Sequence, residues 1–172
     1  MSKGFQTDLE VIAAEAQRRA DDYSSFRYYV ELDERTDAEL DRLVERIAAP
    51  VIAGIDCTTC ANCCRHLNVY LTPDDVQCLS QGTSLSVDAV LDLLVDRERA
   101  QSVGEWGVFR DQPCWFLENN LCRVYPQRPE SCRDYPAFTP DFRWLLEDIL
   151  EGVGQCPIIY NVIEHLQAVL GW

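Results

Sequence analysis

The sequence predicts a mainly α-helical protein with a small β-hairpin, in which irregular cysteine-rich loops complete a single compact domain. Three observations lead to this prediction. Apolar residues recur at helical spacing after several capping residues. A pair of asparagines separates two short apolar runs, and a length of 172 residues suits one hydrophobic core. Within this domain, we expect residues 1–50 to form a helical segment packed on a cysteine-rich unit of residues 51–172.

Two helices are predicted before Pro50. The first begins at Thr7 with Glu10, and the second begins at Thr36 with Glu39. In each pair, the hydroxyl and the carboxylate can satisfy each other's backbone N–H groups, as in a capping box. Apolar side chains follow both starts at spacings of three and four residues. An aromatic patch between the two helices should pack in the core; it consists of Tyr23, Phe26, Tyr28 and Tyr29.

Similar signals predict three helices in the rest of the chain. Thr72 can cap a helix that has Pro73 at its first position, where the missing N–H costs nothing. A second helix follows Ser86 and should run to about Arg99. The last helix is predicted by the apolar pattern of residues 157–170.

A hairpin is predicted between Trp115 and Tyr125. Its turn falls at Glu118-Asn119-Asn120, because asparagine tolerates the positive backbone angles that a tight turn needs. Three prolines then follow in close succession, which excludes a long helix or a central strand over residues 125–140.

Charge and hydropathy argue against nucleic acid and membrane as partners. The net charge is −14, with 15 basic and 29 acidic residues, and would repel phosphate-rich surfaces. The longest apolar run, residues 48–55, is interrupted by Pro50 and is much shorter than the roughly 18 residues that a membrane span requires. The N-terminal residues lack the pattern of a secretory signal, so we expect the protein in the reducing cytoplasm.

Nine cysteines are the most informative feature of the sequence, and four of them lie in the run C-T-T-C-A-N-C-C. A C-x-x-C spacing allows two sulfurs to reach one ion at about 2.3 Å, and zinc sites and iron-sulfur clusters both use it. Cys78 lies on a predicted helix and is interpreted as a packing residue. The other eight are candidate metal ligands, enough for one site or two: Cys57, Cys60, Cys63, Cys64, Cys114, Cys122, Cys132 and Cys156.

Other uses of these cysteines fit less well. A disulfide framework suits secreted chains, and a thioredoxin-like C-x-x-C has no need of further cysteines beside it.

Four thiolates around a zinc dication, or around an oxidised 4Fe-4S cluster, carry a net charge of about −2 and require nearby cations. Three arginines follow candidate ligands and are expected to support the centre: Arg65, Arg123 and Arg133. His66 is the histidine best placed to substitute for a cysteine.

The run C-T-T-C-A-N-C-C, the segment P-C-W-F-L-E-N-N-L-C-R-V-Y-P-Q-R-P-E-S-C-R-D-Y-P and a late Q-C-P together resemble the YkgJ-type CxxCxxCC cysteine-cluster proteins over about residues 55–160. The resemblance implies a zinc- or iron-chelating domain that is similar to a segment of flagellin lysine N-methylases. It matches the eight candidate cysteines and leaves out Cys78. Arg128, Arg133 and Tyr135 match its R-P and C-R-x-Y-P positions, where they could support the cluster or contact a substrate, and we favour support.

We therefore expect a metal-binding protein that holds zinc or a 4Fe-4S cluster. Autonomous catalytic activity is not expected. An autonomous methyltransferase in particular is disfavoured, because no glycine-rich loop follows a predicted strand to hold a nucleotide-like cofactor. Two alternatives remain open at this stage. The chain could be a component of a redox or methyl-transfer enzyme, with an iron-sulfur centre and a protein partner. It could also be a metal carrier or sensor, which requires partly exposed thiolates.

Overall fold

A computed structural model describes residues 4–172, and the chain divides into two compact units. The helical unit combines the residues up to Asp56 with Pro136–Trp172. The cysteine unit is Cys57–Tyr135. The mainly helical fold with small antiparallel sheets that the sequence predicts is confirmed.

The helical unit contains five helices among its described residues. They are α1 (Leu9–Arg18), α2 (Ala20–Glu31), α3 (Asp37–Gly54), α9 (Phe142–Glu151) and α10 (Pro157–Leu170). Each helix buries an apolar stripe, as the 3.6-residue periodicity requires. Fully buried examples are Ile12, Phe26, Leu40, Leu146 and Ile163. None of the helices in residues 4–172 has both the length and the apolar character needed to cross a bilayer.

Two predicted helix boundaries in this unit need correction. The N-cap of α1 is Asp8 rather than Thr7, and its Oδ1 accepts hydrogen bonds from the backbone N–H groups of residues 10 and 11. A carboxylate caps well and also interacts favourably with the helix dipole. Helix α3 continues four residues beyond Pro50 to Gly54. Val51, which follows Pro50, is completely buried, and this burial opposes the cost of about 3 kcal/mol that an internal proline imposes.

The second predicted start in this unit is confirmed, and an additional helix precedes it. Thr36 and Glu39 form a capping box at the N-terminus of α3. The aromatic patch before it is itself helical and forms part of α2. Tyr23 and Phe26 are buried as predicted, whereas Tyr28 and Tyr29 are exposed.

The cysteine unit consists of short elements. Its helices are α4 (Asn62–His66), α5 (Pro73–Gly82), α6 (Val87–Leu94), α7 (Arg97–Gln101) and α8 (Glu130–Asp134). Its strands are β1 (Tyr70–Leu71), β2 (Val95–Asp96), β3 (Gly107–Phe109), β4 (Leu117–Glu118) and β5 (Leu121–Cys122), and 3₁₀ turns occur at Cys57–Thr59 and Tyr125–Gln127. β3 lies between β1 and β2 in an antiparallel sheet, and β4 pairs with β5.

The predicted hairpin is confirmed, including its turn. Asn119 and Asn120 both have positive φ, at 48° and 65°, and Leu117 pairs with Cys122. Helices α5 and α6 begin after Thr72 and Ser86 as predicted. The helix after Ser86 ends at residue 94 rather than near residue 99. The chain then forms β2, and Asp96 caps the separate helix α7.

The core of the cysteine unit lies between α5, α6 and the sheet, and it extends to the hairpin. Phe116 is 2% exposed and meets Phe109 edge-on, with ring centroids 5.8 Å apart. Cys114 and Cys122, on either side of Phe116, pack against this core. Its buried members are Leu71, Val76, Leu79, Val90, Leu94, Val95, Phe109, Phe116 and Val124.

Candidate metal centre

The first cysteine-rich segment is a turn followed by one short helix. The backbone N–H groups of Cys60 and Ala61 both donate to the carbonyl oxygen of Cys57, at 3.1 and 2.9 Å. Ala61 then adopts a left-handed conformation with φ 50° and starts α4. This sharp start places Cys63 and Cys64 in the first turn of the helix, with their sulfurs 3.9 Å apart.

A backbone hydrogen bond joins this segment to the hairpin. The N–H of Cys114 donates to the carbonyl oxygen of Cys64 at 2.8 Å. The turn continues with the N–H of Leu117, which donates to the carbonyl oxygen of Cys114 at 2.9 Å, and the pairing of β4 with β5 brings Cys122 opposite Leu117. Three cysteines from two distant parts of the sequence are thus held by local backbone structure.

Cys132 lies on α8, which is anchored at its N-terminus. The N–H of Glu130 donates to Oδ1 of Asp75 at 2.9 Å, and the hydroxyl of Ser131 donates to the carbonyl oxygen of Tyr70 at 2.8 Å. Burial, with smaller contributions from the nearby sulfurs of Cys114, Cys64 and Cys122, raises the pKa of Cys132 to about 12. We call Cys64, Cys114, Cys122 and Cys132 the thiol cluster, because the charges of the first three raise the pKa of Cys132, and the charge of Cys64 also raises the pKa values of Cys114 and Cys122.

The four thiols do not share one protonation behaviour. Hydrogen bonding from Cys63 lowers the pKa of Cys64 to about 6, with help from the positive charges of Arg65 and Arg128. Burial raises the pKa of Cys114, and burial also raises the pKa of Cys122. One member of the cluster is therefore a thiolate at neutral pH, and the other three retain their protons.

Two of the three arginines that the sequence suggested, Arg65 and Arg123, each contribute a charge that lowers the pKa of a cluster thiol. Arg65 donates to the carbonyl oxygen of Cys60 at 2.8 Å and to Oδ1 of Asn120, so that it links α4 to the hairpin turn. Arg123 lies over the ring of Trp115 at 4.8 Å, and its charge lowers the pKa of Cys122. Arg133 donates to the carbonyl oxygen of Arg128.

Arg128 has the widest electrostatic influence on the cluster, and it was not among the three arginines proposed to offset the charge. Its guanidinium lies 3.7 Å from the centre of the Tyr125 ring, and its charge lowers the pKa values of Cys64, Cys122 and Cys132. Its Nε atom is buried and has no hydrogen-bond acceptor in the described part of the chain. The other three arginines were chosen because each directly follows a cysteine in the sequence, and Arg128 does not. The R-P match was the available signal.

The remaining candidates differ in burial and location. Cys57 is exposed, and Cys60 and Cys63 are partly buried. Cys156 is buried at the N-cap of α10, within the helical unit. Cys78 is partly buried on α5. His66 is exposed, and its Nδ1 is 3.2 Å from the carbonyl oxygen of Asn62.

The donor set of the thiol cluster suits a thiophilic metal. Across residues 4–172, no group of three or more His, Cys, Asp or Glu side chains is arranged so that it could hold a metal ion. The chemistry of the groups nevertheless fits such an ion. Soft thiolate ligands select zinc and iron-sulfur clusters, and the cluster offers four sulfurs with nearby guanidinium groups to offset their charge. The unpaired buried Nε of Arg128 is a donor that a thiolate could satisfy.

Comparison with known proteins gives one match. The family model CxxCxxCC, described as "Putative zinc- or iron-chelating domain", matches residues 56–149, which is more than half of the chain. No curated protein and no solved structure matches the chain. The matched segment contains the whole thiol cluster, and Cys156 lies beyond it. The chain therefore belongs to the CxxCxxCC family of zinc- or iron-chelating domains.

Proposed function

We propose that the protein binds zinc or an iron-sulfur cluster through the thiol cluster, with Cys64, Cys114, Cys122 and Cys132 as ligands of one centre. The observation that carries the proposal is the proximity of these four thiols, which come from three separate segments: the sulfurs of Cys64, Cys114 and Cys122 all raise the pKa of Cys132. The hydrogen bond between the backbones of Cys114 and Cys64 supports the same grouping.

The electrostatics of the cluster favour a cation over other uses of the cysteines. Four thiolates held together without a counterion repel one another, and three of the four thiols here have raised pKa values because of burial and, to a smaller extent, because of this repulsion. A metal ion or cluster would replace the three protons and remove the repulsion. Arg65, Arg123 and Arg128 would offset the charge that remains. A reducing compartment such as the cytoplasm would keep these thiols available.

The other predicted ligands are proposed to complete the centre or to form a second one. Cys63 is the best supported of them, because its sulfur lies 3.9 Å from that of Cys64. Cys57 and Cys60 belong to the same C-x-x-C spacing. Cys156 is proposed on the cysteine pattern alone.

The direct test is to purify the protein without oxygen, record its visible spectrum and measure bound metal and sulfide. Stoichiometric zinc in colourless protein supports a zinc site. Broad visible absorbance with iron and sulfide supports a cluster. Cys114→Ser should lower the metal content, whereas the matched control Cys78→Ser should not. Protein with neither metal, and no uptake of Zn²⁺ or iron after reduction, would refute the proposal.

A second candidate function is metal transfer to another protein. The exposure of Cys57, next to the partly buried Cys60 and Cys63, favours this possibility because exchange requires accessible sulfur. A carrier should lose its zinc to a chelator within seconds to minutes and remain folded. A structural site should release zinc only as the protein unfolds.

A further inference from the structure

We propose that Asp75 is a positioning residue for the metal centre, which acts by fixing helix α8 and thereby Cys132. This inference rests on the proposed function, because it concerns the geometry of one of the proposed ligands. Asp75 lies in the first turn of α5.

The side chain of Asp75 is almost completely buried, at 4% exposure, and its two oxygens accept hydrogen bonds from two different segments. Oδ2 accepts from the backbone N–H of Thr72 at 2.8 Å and from its hydroxyl at 2.9 Å. Oδ1 accepts from the backbone N–H of Glu130 at 2.9 Å. A buried carboxylate is costly unless it is fully hydrogen-bonded, and these three donors satisfy it.

The second of these segments leads directly to a proposed ligand. Glu130 is the first residue of α8, and Cys132 follows two residues later. A five-residue helix has little stability of its own, so its position depends on such external contacts. Asp75 itself is held firmly, because the next residue on α5, Val76, is buried in the core against which Cys114 and Cys122 pack. Asp75 therefore fixes the position of Cys132 relative to the core against which Cys114 and Cys122 also pack.

The capping box of α3 shows what Asp75 adds to ordinary helix capping. There, Oε2 of Glu39 accepts from the backbone N–H of Thr36 at 2.9 Å and from its hydroxyl at 2.8 Å, as Oδ2 of Asp75 does with Thr72. Glu39, however, is exposed. The burial of Asp75 and the bond from Glu130 to its second oxygen are features that capping α5 does not require.

The first variant removes the hydrogen bond between Glu130 and Asp75 by a change on α8 and leaves Asp75 itself unchanged. Glu130→Pro deletes the donating N–H at the first position of a helix, a position that proline otherwise suits. Glu130→Ala is the matched control, because it removes the same exposed side chain and keeps the N–H. Asp75→Asn tests the bond from the other side, since one amide oxygen cannot accept from both Thr72 and Glu130. Each protein is titrated with Co²⁺, whose thiolate charge-transfer absorbance reports sulfur ligands, and Zn²⁺ is then added as a competitor.

We expect Glu130→Pro and Asp75→Asn to weaken Co²⁺ binding about 10- to 100-fold and to reduce the thiolate charge-transfer intensity, as loss of a supporting contact at a metal site does. Glu130→Ala should bind like the wild-type protein. Thr72→Ala, which weakens the cap of α5 but keeps the bond between Asp75 and Glu130, should lower the melting temperature without changing the affinity. In a Cys132→Ser background, Glu130→Pro should have almost no further effect on affinity, because the two changes act on the same ligand.

Equal affinities for Glu130→Pro and Glu130→Ala would overturn the inference while leaving the proposed function intact. So would a full additional loss from Glu130→Pro in the Cys132→Ser background. Failure of the wild-type protein to bind Co²⁺ or Zn²⁺ would overturn the proposed function, and the inference with it.

Discussion

Replacement of Cys63 should make Cys64 a weaker acid. The hydrogen bond from Cys63 is the largest influence on Cys64, whose pKa is lowered from 9.0 to about 6. The change Cys63→Ala removes this donor and leaves the charges of Arg65 and Arg128 in place. We therefore expect the pKa of Cys64 to rise by about one to two units without reaching its ordinary value.

The size of the effect follows from the thiolate fraction. With a pKa of about 6, roughly nine-tenths of Cys64 is deprotonated at pH 7. A rise of one to two units lowers that fraction to about one-half or one-tenth. Because the thiolate is the reactive form, alkylation at pH 7 should slow about two- to tenfold.

The assay measures the alkylation rate of Cys64 in the reduced, metal-free protein as a function of pH, with iodoacetamide and peptide mass spectrometry. Cys78→Ala is the control, because Cys78 lies on α5 and is not a member of the thiol cluster. The midpoint of the rate profile should move to higher pH in Cys63→Ala alone. An unchanged midpoint would show that Cys63 does not activate Cys64, and the reasoning would be wrong.

Three further predictions test the surroundings of the cluster. Arg128→Met should raise the pKa values of the cysteines that it influences and weaken Zn²⁺ binding, measured by competition with a chelator, and Arg133→Met should have a smaller effect. Phe116→Ala should lower the free energy of unfolding by about 3–5 kcal/mol in urea denaturation, because it empties a fully buried site. Binding of Zn²⁺ at pH 7 should release about three protons, seen by calorimetry in buffers of different ionisation enthalpy, because three cluster thiols have raised pKa values and one is already deprotonated.

Each of these predictions has a result that would contradict it. Equal affinities for the two arginine variants would remove the special role of Arg128. A cost below about 1 kcal/mol for Phe116→Ala would mean that the core tolerates the cavity. The proton prediction has a definite sign: affinity for Zn²⁺ must rise with pH. Protons compete with Zn²⁺ for thiols that have raised pKa values, and this competition weakens as the pH rises. An affinity independent of pH between 6 and 8 would contradict it.

Local signals in the sequence were sufficient for the elements whose determinants are close together in the chain. Thr36 with Glu39, Ser86 before an apolar helix, and Asn119-Asn120 in a turn each act within four residues, and the structure has the predicted element at each of them. The boundary near residue 95 failed for the opposite reason. Val95 pairs with Phe109 across the small sheet, and this distant partner ends the helix that the periodicity alone would extend.

The same distinction applies to the candidate centre. Cysteine spacing identified the sulfur donors, because a C-x-x-C motif is a local pattern. It could not show that Cys64 lies beside Cys114, since that proximity depends on a backbone hydrogen bond between residues 50 positions apart. Nor could it show that Asp75 binds α8, or that Arg128 influences three of the thiols, because both facts depend on the packing of distant segments.

X-ray absorption spectroscopy of the metal-loaded protein tests the central claim most directly, because it counts the sulfur atoms bound to the metal. The protein is purified without oxygen, and the spectrum is recorded at the absorption edge of the metal that it carries. The account predicts a shell of about four sulfurs near 2.3 Å, with fewer sulfurs in Cys132→Ser. A shell made mainly of oxygen and nitrogen, or one unchanged by loss of any member of the thiol cluster, would contradict it.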